Sequence, residues 1–344
     1  MSKKNPVEIR TSPHLKKNLS VDQIMLQVVY ALIPVALFSV YQFGLSAAVV
    51  ILTTILFAMG TEHLFCKLGN KPSTLGDNSA LLTGLLLGLT LPPGFPLWMA
   101  AVAAISGMGI GKIFFGGLGY NILNPALVGR AFVQAAFPVA ITSWTPNLLQ
   151  DRFLEFIPST LTPPMLLPIS TTEWLTGKNV DSFTGATPLG LQKFENTPTE
   201  LFDLFSGTTA GSLGETSFIL ILLGGLYLAA RNFLDWRIPV GIFASASVVA
   251  LITQWSDPSL AGPMFHILSG GMALGAIFMA TDMVGSPVTP AGVWLYAFLI
   301  GALTVVIRVY GGLSEGVMYA ILLGNIFLPL IELVTQPRSY GEAR

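Results

Sequence analysis

Charge and cysteine are what this chain has least of. Only 10% of its 344 residues are charged, against roughly 25% in an ordinary soluble domain. So little charge argues against a water-soluble fold, and a net charge of −1 argues against nucleic acid as a partner. The single cysteine, Cys66, excludes an internal disulfide and a thiolate-held metal cluster. Histidine is scarce too: His14, His63 and His266 lie far apart in sequence, so no metal site is expected. A nicotinamide fingerprint is missing. "GMGIGK" (107–112) superficially resembles a phosphate loop, but it sits in an apolar run with no strand before it and reads as close helix packing. The start, "MSKKNPVEIRTSPHLKKN", is polar and basic and has no apolar core within the first 20 residues, so it does not read as a cleavable signal peptide.

What is present is apolar length. Hydrophobic residues make up 52% of the chain and mean hydropathy is +0.69. A helix needs about 20 apolar residues to cross a bilayer, and the runs 22–42, 45–65, 97–115, 121–141, 217–230, 238–255, 291–309 and 316–335 are candidates. Two others are too short: "SALLTGLLLGLTLPP" (79–93), stopped by Pro92 and Pro93, and "FHILSGGMALGAIFMA" (265–280), closed by Thr281 and Asp282. Glycine-rich runs of this length read as broken or re-entrant helices, whose irregular backbone must be satisfied by protein or by a wet cavity. The expected fold is all-α and polytopic, with about ten segments, the third and eighth discontinuous.

The two halves resemble each other. "GGLGYNILNPALVGRAF" (116–132) aligns with "GGLSEGVMYAILLGNIF" (311–327) at an offset of 195, and Gly84-Leu-Leu-Leu-Gly88 answers Gly271-Met-Ala-Leu-Gly275. Five segments per half would set the halves in opposite orientations, a 5+5 inverted repeat. The expected divisions are 1–20, 21–142 (first repeat), 143–216 (polar insert), 217–335 (second repeat) and 336–344. Lys3, Lys4, Arg10, Lys16 and Lys17 put the N-terminus in the cytoplasm by the positive-inside rule, Arg338 and Arg344 put the C-terminus there too, and the insert then falls outside. Its composition fits that side, with eight acids against three bases. Within it "TPTELFDLFSG" (197–207) reads as a short helix capped by Thr197, and Ser212 to Glu215 as a capping box opening the sixth segment.

The insert also holds "DSFTGATPLG" (181–190). Gly185 and Ala186 leave Thr187 sterically open, and Pro188 fixes the backbone after it. A self-activated hydroxyl needs a base within hydrogen-bond reach, and no histidine is near in sequence. Thr187 is therefore a better target of modification than a catalyst; an Asx or Ser/Thr turn on a surface loop is the plainer reading of the residues alone.

Asp181-Ser-Phe-Thr184-Gly185-Ala186-Thr187 matches the pattern Asp-x-x-(Ser/Thr)-Gly-Ala-Thr. This resembles the flavin-attachment site of the RnfD/NqrB family, membrane subunits of the Rnf ferredoxin:NAD oxidoreductase complex and of the sodium-pumping NADH:quinone oxidoreductase. "NPALVGRAF" (124–132), "SPHLKKNLS" (12–20) and "GSLGETS" (211–217) are also similar to that family, and the RnfD branch is the nearer match. The resemblance implies a fold like the urea transporters and FMN held by a phosphoester on Thr187, with Asp181, Thr184, Gly185 and Ala186 read by a flavin transferase. It implies a bacterial inner-membrane, ion-translocating complex with flavin and iron–sulfur subunits as partners, in which this chain is not catalytic alone. It also raises a second, non-covalent flavin, riboflavin, to which no residues are assigned.

Ionisable residues at membrane depth are costly and so are functional candidates. Glu62, Asp77, Asp282 and Arg130 qualify. The first three also fit solvated positions at the lipid–water boundary. Arg130 follows Gly129 in an apolar run and needs a partner, either a carboxylate or the polar edge of a cofactor. Glu315 and Glu332 flank the last segment. The competing function is a non-redox channel or solute transporter with the broken helices lining its path.

Overall fold

The computed structural model describes residues 20–166, 168, 171, 174, 186–197, 199–215 and 217–336. Among these there is no strand. Helices α1 (Val21–Phe43) and α2 (Leu45–Leu68) form an antiparallel hairpin. It turns at Gly44, whose φ of +75° is unfavourable for other residues. A Cβ there would fall 1.9 Å from the Arg152 carbonyl oxygen, because the chain at 148–159 lies across the hairpin corner. Leu45 N donates to Arg152 O (3.0 Å), Leu148 N to Gln42 O (2.9 Å) and Ile157 N to Ser46 Oγ (2.8 Å). The described part of the polar insert is thus tied to the helices rather than tethered beside them.

Helix α3 (Ser79–Leu89) is 11 residues long and stops before the prolines at 92 and 93, as its sequence indicates. Its last carbonyl and one just beyond it are satisfied from far along the chain: Gly214 N donates to Leu89 O (2.6 Å) and Leu213 N to Leu91 O (3.1 Å). Helix α4 (Leu97–Met108) runs on through a π turn at Gly109–Ile113. The run expected at 121–141 is shorter and broken. Asn124 caps α5 (Pro125–Ala136), its side chain accepting from Ala126 N (3.0 Å), and Phe137 separates it from α6 (Pro138–Ile141). Glycines set the α4–α5 distance: a Cβ on Gly129 would meet Ala103 O at 2.5 Å and one on Gly107 would meet Pro125 O at 2.7 Å. "GMGIGK" is accordingly a packing face.

The short helix of the insert begins later than its capping pattern indicates. It is preceded by α7 (Pro188–Gly190), which passes into a π turn at Leu191–Glu195, and is itself α8 (Leu201–Ser206), closed by Gly207 in the left-handed region. Helix α9 (Phe218–Ala230) is capped by Ser217, not by the pair Ser212 and Glu215. Then come α10 (Arg237–Ser256) and α11 (Pro263–Leu268), a break at 269–271, and α12 (Met272–Leu274), which continues as a π turn at Gly275–Met279. Helices α13 (Pro290–Tyr310) and α14 (Val317–Thr335) complete the fold.

Among the described residues five helices, α1, α2, α10, α13 and α14, are long and apolar enough to span a membrane, and α3, α4 with its π turn, and α9 are shorter apolar helices. One buried apolar core runs through all of these, from Leu32 on α1 and Ala47 on α2 to Tyr296 on α13 and Ile321 on α14. A small separate cluster, Leu189, Leu204 and Phe265, fastens α7 and α8 to α11.

Candidate functional site

Thr187 stands at the head of α7. Its extended backbone (φ −71°, ψ 159°) and Pro188 at the first helical position follow from the Thr-Pro sequence. The Thr187 Oγ accepts from Gly190 N at 3.2 Å. Three things hold the segment in place: Leu189 in the small apolar cluster, the left-handed Asn196 (φ 53°) ending the π turn, and Lys193. Lys193 Nζ donates to Arg308 O (2.7 Å) in the last turn of α13 and to Leu313 O (2.9 Å) and Gly311 O on the connection between α13 and α14. Partial burial pushes the Lys193 ammonium below its ordinary pKa.

Over this segment opens a cleft of about 200 Å³ lined by Ala186, Thr187, Phe194, Trp144, Arg130 and Glu315, among others. Thr187 and Trp144 are largely buried while Phe194 is 70% exposed, so the cleft has one aromatic wall in the protein and one at its mouth. Ala186 joins Thr187 there. Asp181, Thr184 and Gly185 lie outside the described residues.

Arg130, on α5, is 5% exposed. Its partners are two carboxylates from distant parts of the chain: Nη1 donates to Glu215 Oε1 (3.2 Å) and Nη2 to Glu315. Arg130 Nε and Glu315 Oε1 are buried without a hydrogen-bond partner. Glu215 lies in the loop ahead of α9; burial and the nearby Glu315 push its carboxyl up to about 7, against the pull of Arg130. Behind this group a small second cavity of about 20 Å³ is lined by Arg130, Glu215 and Glu315 together with Thr90, Gly271 and Arg308. Arg308, 3% exposed, closes the break between α11 and α12 by donating to His266 O (2.6 Å) and Ser269 O (3.0 Å).

A second charged group lies at the other end of α4. Lys112 Nζ donates to Glu62 Oε1 and to Ser79 Oγ, both at 2.6 Å, and Glu62 Oε1 also accepts from Thr74 Oγ (2.6 Å). Glu62 is buried rather than solvated. Half-buried Asp77 accepts from Ser79 N (2.8 Å) and from its hydroxyl, which links it to Lys112 and opens α3. Ser79 and Lys112 line a cavity of about 70 Å³ with Asn121, Asn124, Asp282 and apolar residues of α1, α3 and α9. Asp282 itself accepts only a turn bond from Val284 N (3.4 Å).

The candidate residues therefore fall into two groups: Thr187 and Ala186 with Arg130, and Glu62 and Asp77 with Asp282 across a separate cavity. Lys112 and Glu215 are not singled out as site residues by the sequence, and Glu315 stands there only as a residue flanking the last segment. Lys112, a cation inside an apolar glycine-rich stretch, carried the same signal as Arg130. The pairing of Glu215 and Glu315 with Arg130 joins positions 85 and 185 residues away from it and has no local signature.

Described residues that fold without strands, with helices long and apolar enough to span a membrane and buried ion pairs among them, define a polytopic membrane protein. Residues 8–341 match the NQR2, RnfD, RnfE family, and the chain belongs to that family. It is 40% identical to a subunit of the proton-translocating ferredoxin:NAD(+) oxidoreductase complex of Clostridium ljungdahlii, over 99% of this chain and 98% of that one. It is 39% identical to the subunit of the same designation in the ion-translocating oxidoreductase complex of Stutzerimonas stutzeri, over 94% and 92%. It is 38% identical to its namesake in the Na(+)-translocating ferredoxin:NAD(+) oxidoreductase complex of Acetobacterium woodii, over 97% and 95%.

Proposed function

We propose that this chain is the electron-transfer membrane subunit of an ion-translocating ferredoxin:NAD oxidoreductase complex, carrying FMN as a phosphoester on Thr187. The observation that carries the reading is the cleft: the threonine of the attachment pattern opens into a space of about 200 Å³ that Trp144, Phe194 and Arg130 also line. The residues fit the group. Thr187 Oγ serves the fold only as an acceptor, a role an ester oxygen retains. Trp144 and Phe194 offer aromatic faces to a planar ring, and Arg130 offers positive charge to a phosphate. FMN supplies one- and two-electron chemistry when bound; the protein's part is to place it and tune its potential. Thr187 is the anchor, and Asp181, Thr184, Gly185 and Ala186 are the determinants read by the transferase.

The wider organisation we propose is ten membrane segments in a 5+5 inverted repeat, as in the urea transporters, with both termini cytoplasmic and 143–216 on the periplasmic face of a bacterial inner membrane. The partners are flavin and iron–sulfur subunits of the same complex, since this chain has neither thiolate ligands nor a nicotinamide fold. Arg130, Glu62, Asp77 and Asp282 are the charged groups through which electron flow is coupled to Na+ or H+ movement. A second flavin held without a covalent bond, riboflavin, belongs to the same reading, with no residues assigned to it.

Intact-mass measurement of the native chain tests the main reading. One added FMN on the peptide holding residues 181–190, lost together with in-gel fluorescence in Thr187→Ala, supports it. An unmodified threonine in material from an active complex overturns it. A flavin-free chain that moves solute in liposomes favours the channel reading instead.

A further inference from the structure

Arg130 sits on a partition. On one side is the cleft that Thr187 lines; on the other is the cavity beside the break between α11 and α12, and both Arg130 and Glu315 face both spaces. The guanidinium is engaged by two carboxylates, Glu215 and Glu315. A guanidinium has five donor hydrogens, and Nε is without a partner. The next cation, Arg308, acts electrostatically on both carboxylates, while its hydrogen bonds go to the carbonyls of His266 and Ser269. Other titratable groups face the cluster from each packed element: Tyr319 on α14, His266 on α11, and Lys193, which is bonded to the backbone of the α13–α14 connection. None of them is bonded to Glu215 or Glu315 through its side chain.

We propose that Arg130 is a shared counterion that couples the charge in the Thr187 cleft to cation uptake by Glu215 and Glu315. While the cleft carries no added negative charge, Arg130 pairs the carboxylates. When an electron arrives in the cleft from a one-electron donor of the complex, an iron–sulfur centre or another flavin, Arg130 turns its free donors toward it. The carboxylates, left without their partner in a largely buried site, take one monovalent cation, a proton or an alkali ion, from the cavity. One electron and one cation enter, nothing leaves, and the charge of the region is unchanged. The inference rests on the flavin reading of Thr187, and it makes Arg130 a positioning residue and Glu215 and Glu315 a cation site.

The test uses the intact complex in detergent, with difference spectra against a Thr187→Ala complex so that only the Thr187-linked flavin is read. Its midpoint potential is measured over a range of NaCl, with choline chloride holding ionic strength constant, and over a range of pH. A tenfold rise in the coupled cation is expected to change the one-electron equilibrium constant by up to tenfold, equivalent to about 59 mV. Response to NaCl identifies an alkali ion; a steeper pH slope in wild type than in Glu315→Gln identifies a proton. Glu315→Gln, near-isosteric and at a partly exposed position, should lose the dependence with its flavin retained. Arg130→Gln should lower the potential by about tenfold in the same constant and Arg130→Lys should restore part of it; the lysine variant also serves if the glutamine variant fails to fold. Equal dependence in wild type and Glu315→Gln, or an unchanged potential in Arg130→Gln with flavin in place, overturns the proposal. Absence of any Thr187-dependent flavin in wild type overturns the functional reading instead, so the two failures are distinct.

Discussion

Lys112 Nζ lies 2.6 Å from Glu62 Oε1, and the two side chains are 2% and 3% exposed. Removing one member of a buried pair strands the other charge and costs roughly 3–5 kcal/mol, whereas replacing both with apolar residues is often close to neutral. Lys112→Met should therefore strongly lower the thermal midpoint of the detergent-solubilised protein, and the double variant Glu62→Leu, Lys112→Met should recover most of the loss. A single variant as stable as wild type would mean that the pair is not buried in the assembled protein.

The α4–α5 contact gives a sharper comparison between two glycines of one packing region. A Cβ on Gly129 would lie 2.5 Å from the Ala103 carbonyl oxygen, a backbone atom with little room to shift, while a Cβ on Gly109 meets nothing within 4 Å. Overpacking of this kind costs roughly 1–3 kcal/mol. Gly129→Ala should reduce the yield of folded protein and its thermal midpoint; Gly109→Ala should change neither.

Much of the helical content was legible because lipid imposes a simple rule: apolar length. The stops of α3 at its prolines, the glycine packing of α4 and the isolation of Arg130 all follow from residue type and spacing. Other features turn on distant contacts. The run 121–141 does not form one helix, because Phe137 leaves the helical conformation (φ −133°, ψ 60°). The pattern Ser212 to Glu215 looks like a capping box, yet Glu215 is drawn to Arg130 on α5 and Ser217 caps α9 instead. Glu62, at the end of an apolar run, reads as solvated until the π turn of α4 brings Lys112 onto it.

Glu215 makes stability depend on pH in a definite sense. Burial raises its folded-state pKa above the ordinary 4.5, to about 7, so the folded protein holds a proton that the unfolded chain releases earlier as pH rises. The stabilisation from this group is full below about 4.5 and is lost as pH climbs through the folded value. The thermal midpoint of wild type should fall between pH 5 and pH 8 more than that of Glu215→Gln, which cannot ionise. An equal fall in both proteins would assign the pH dependence to other groups.

Thr187 serves both the fold and, on the proposed reading, the cofactor, and two substitutions separate these roles. Its Oγ caps α7 by accepting from Gly190 N, and loss of such a cap costs about 1 kcal/mol. Asparagine is as good a cap as threonine but has no hydroxyl to esterify. Thr187→Asn should therefore keep the wild-type thermal midpoint measured on flavin-free protein, produced without the transferase, while Thr187→Ala loses about 1 kcal/mol of local stability, visible as faster amide hydrogen exchange over 187–195. With the transferase present, both variants should lack in-gel flavin fluorescence and the mass of FMN. Fluorescence persisting in the asparagine variant would move the attachment point to another hydroxyl, and Ser182 and Thr184 are its nearest neighbours in the pattern.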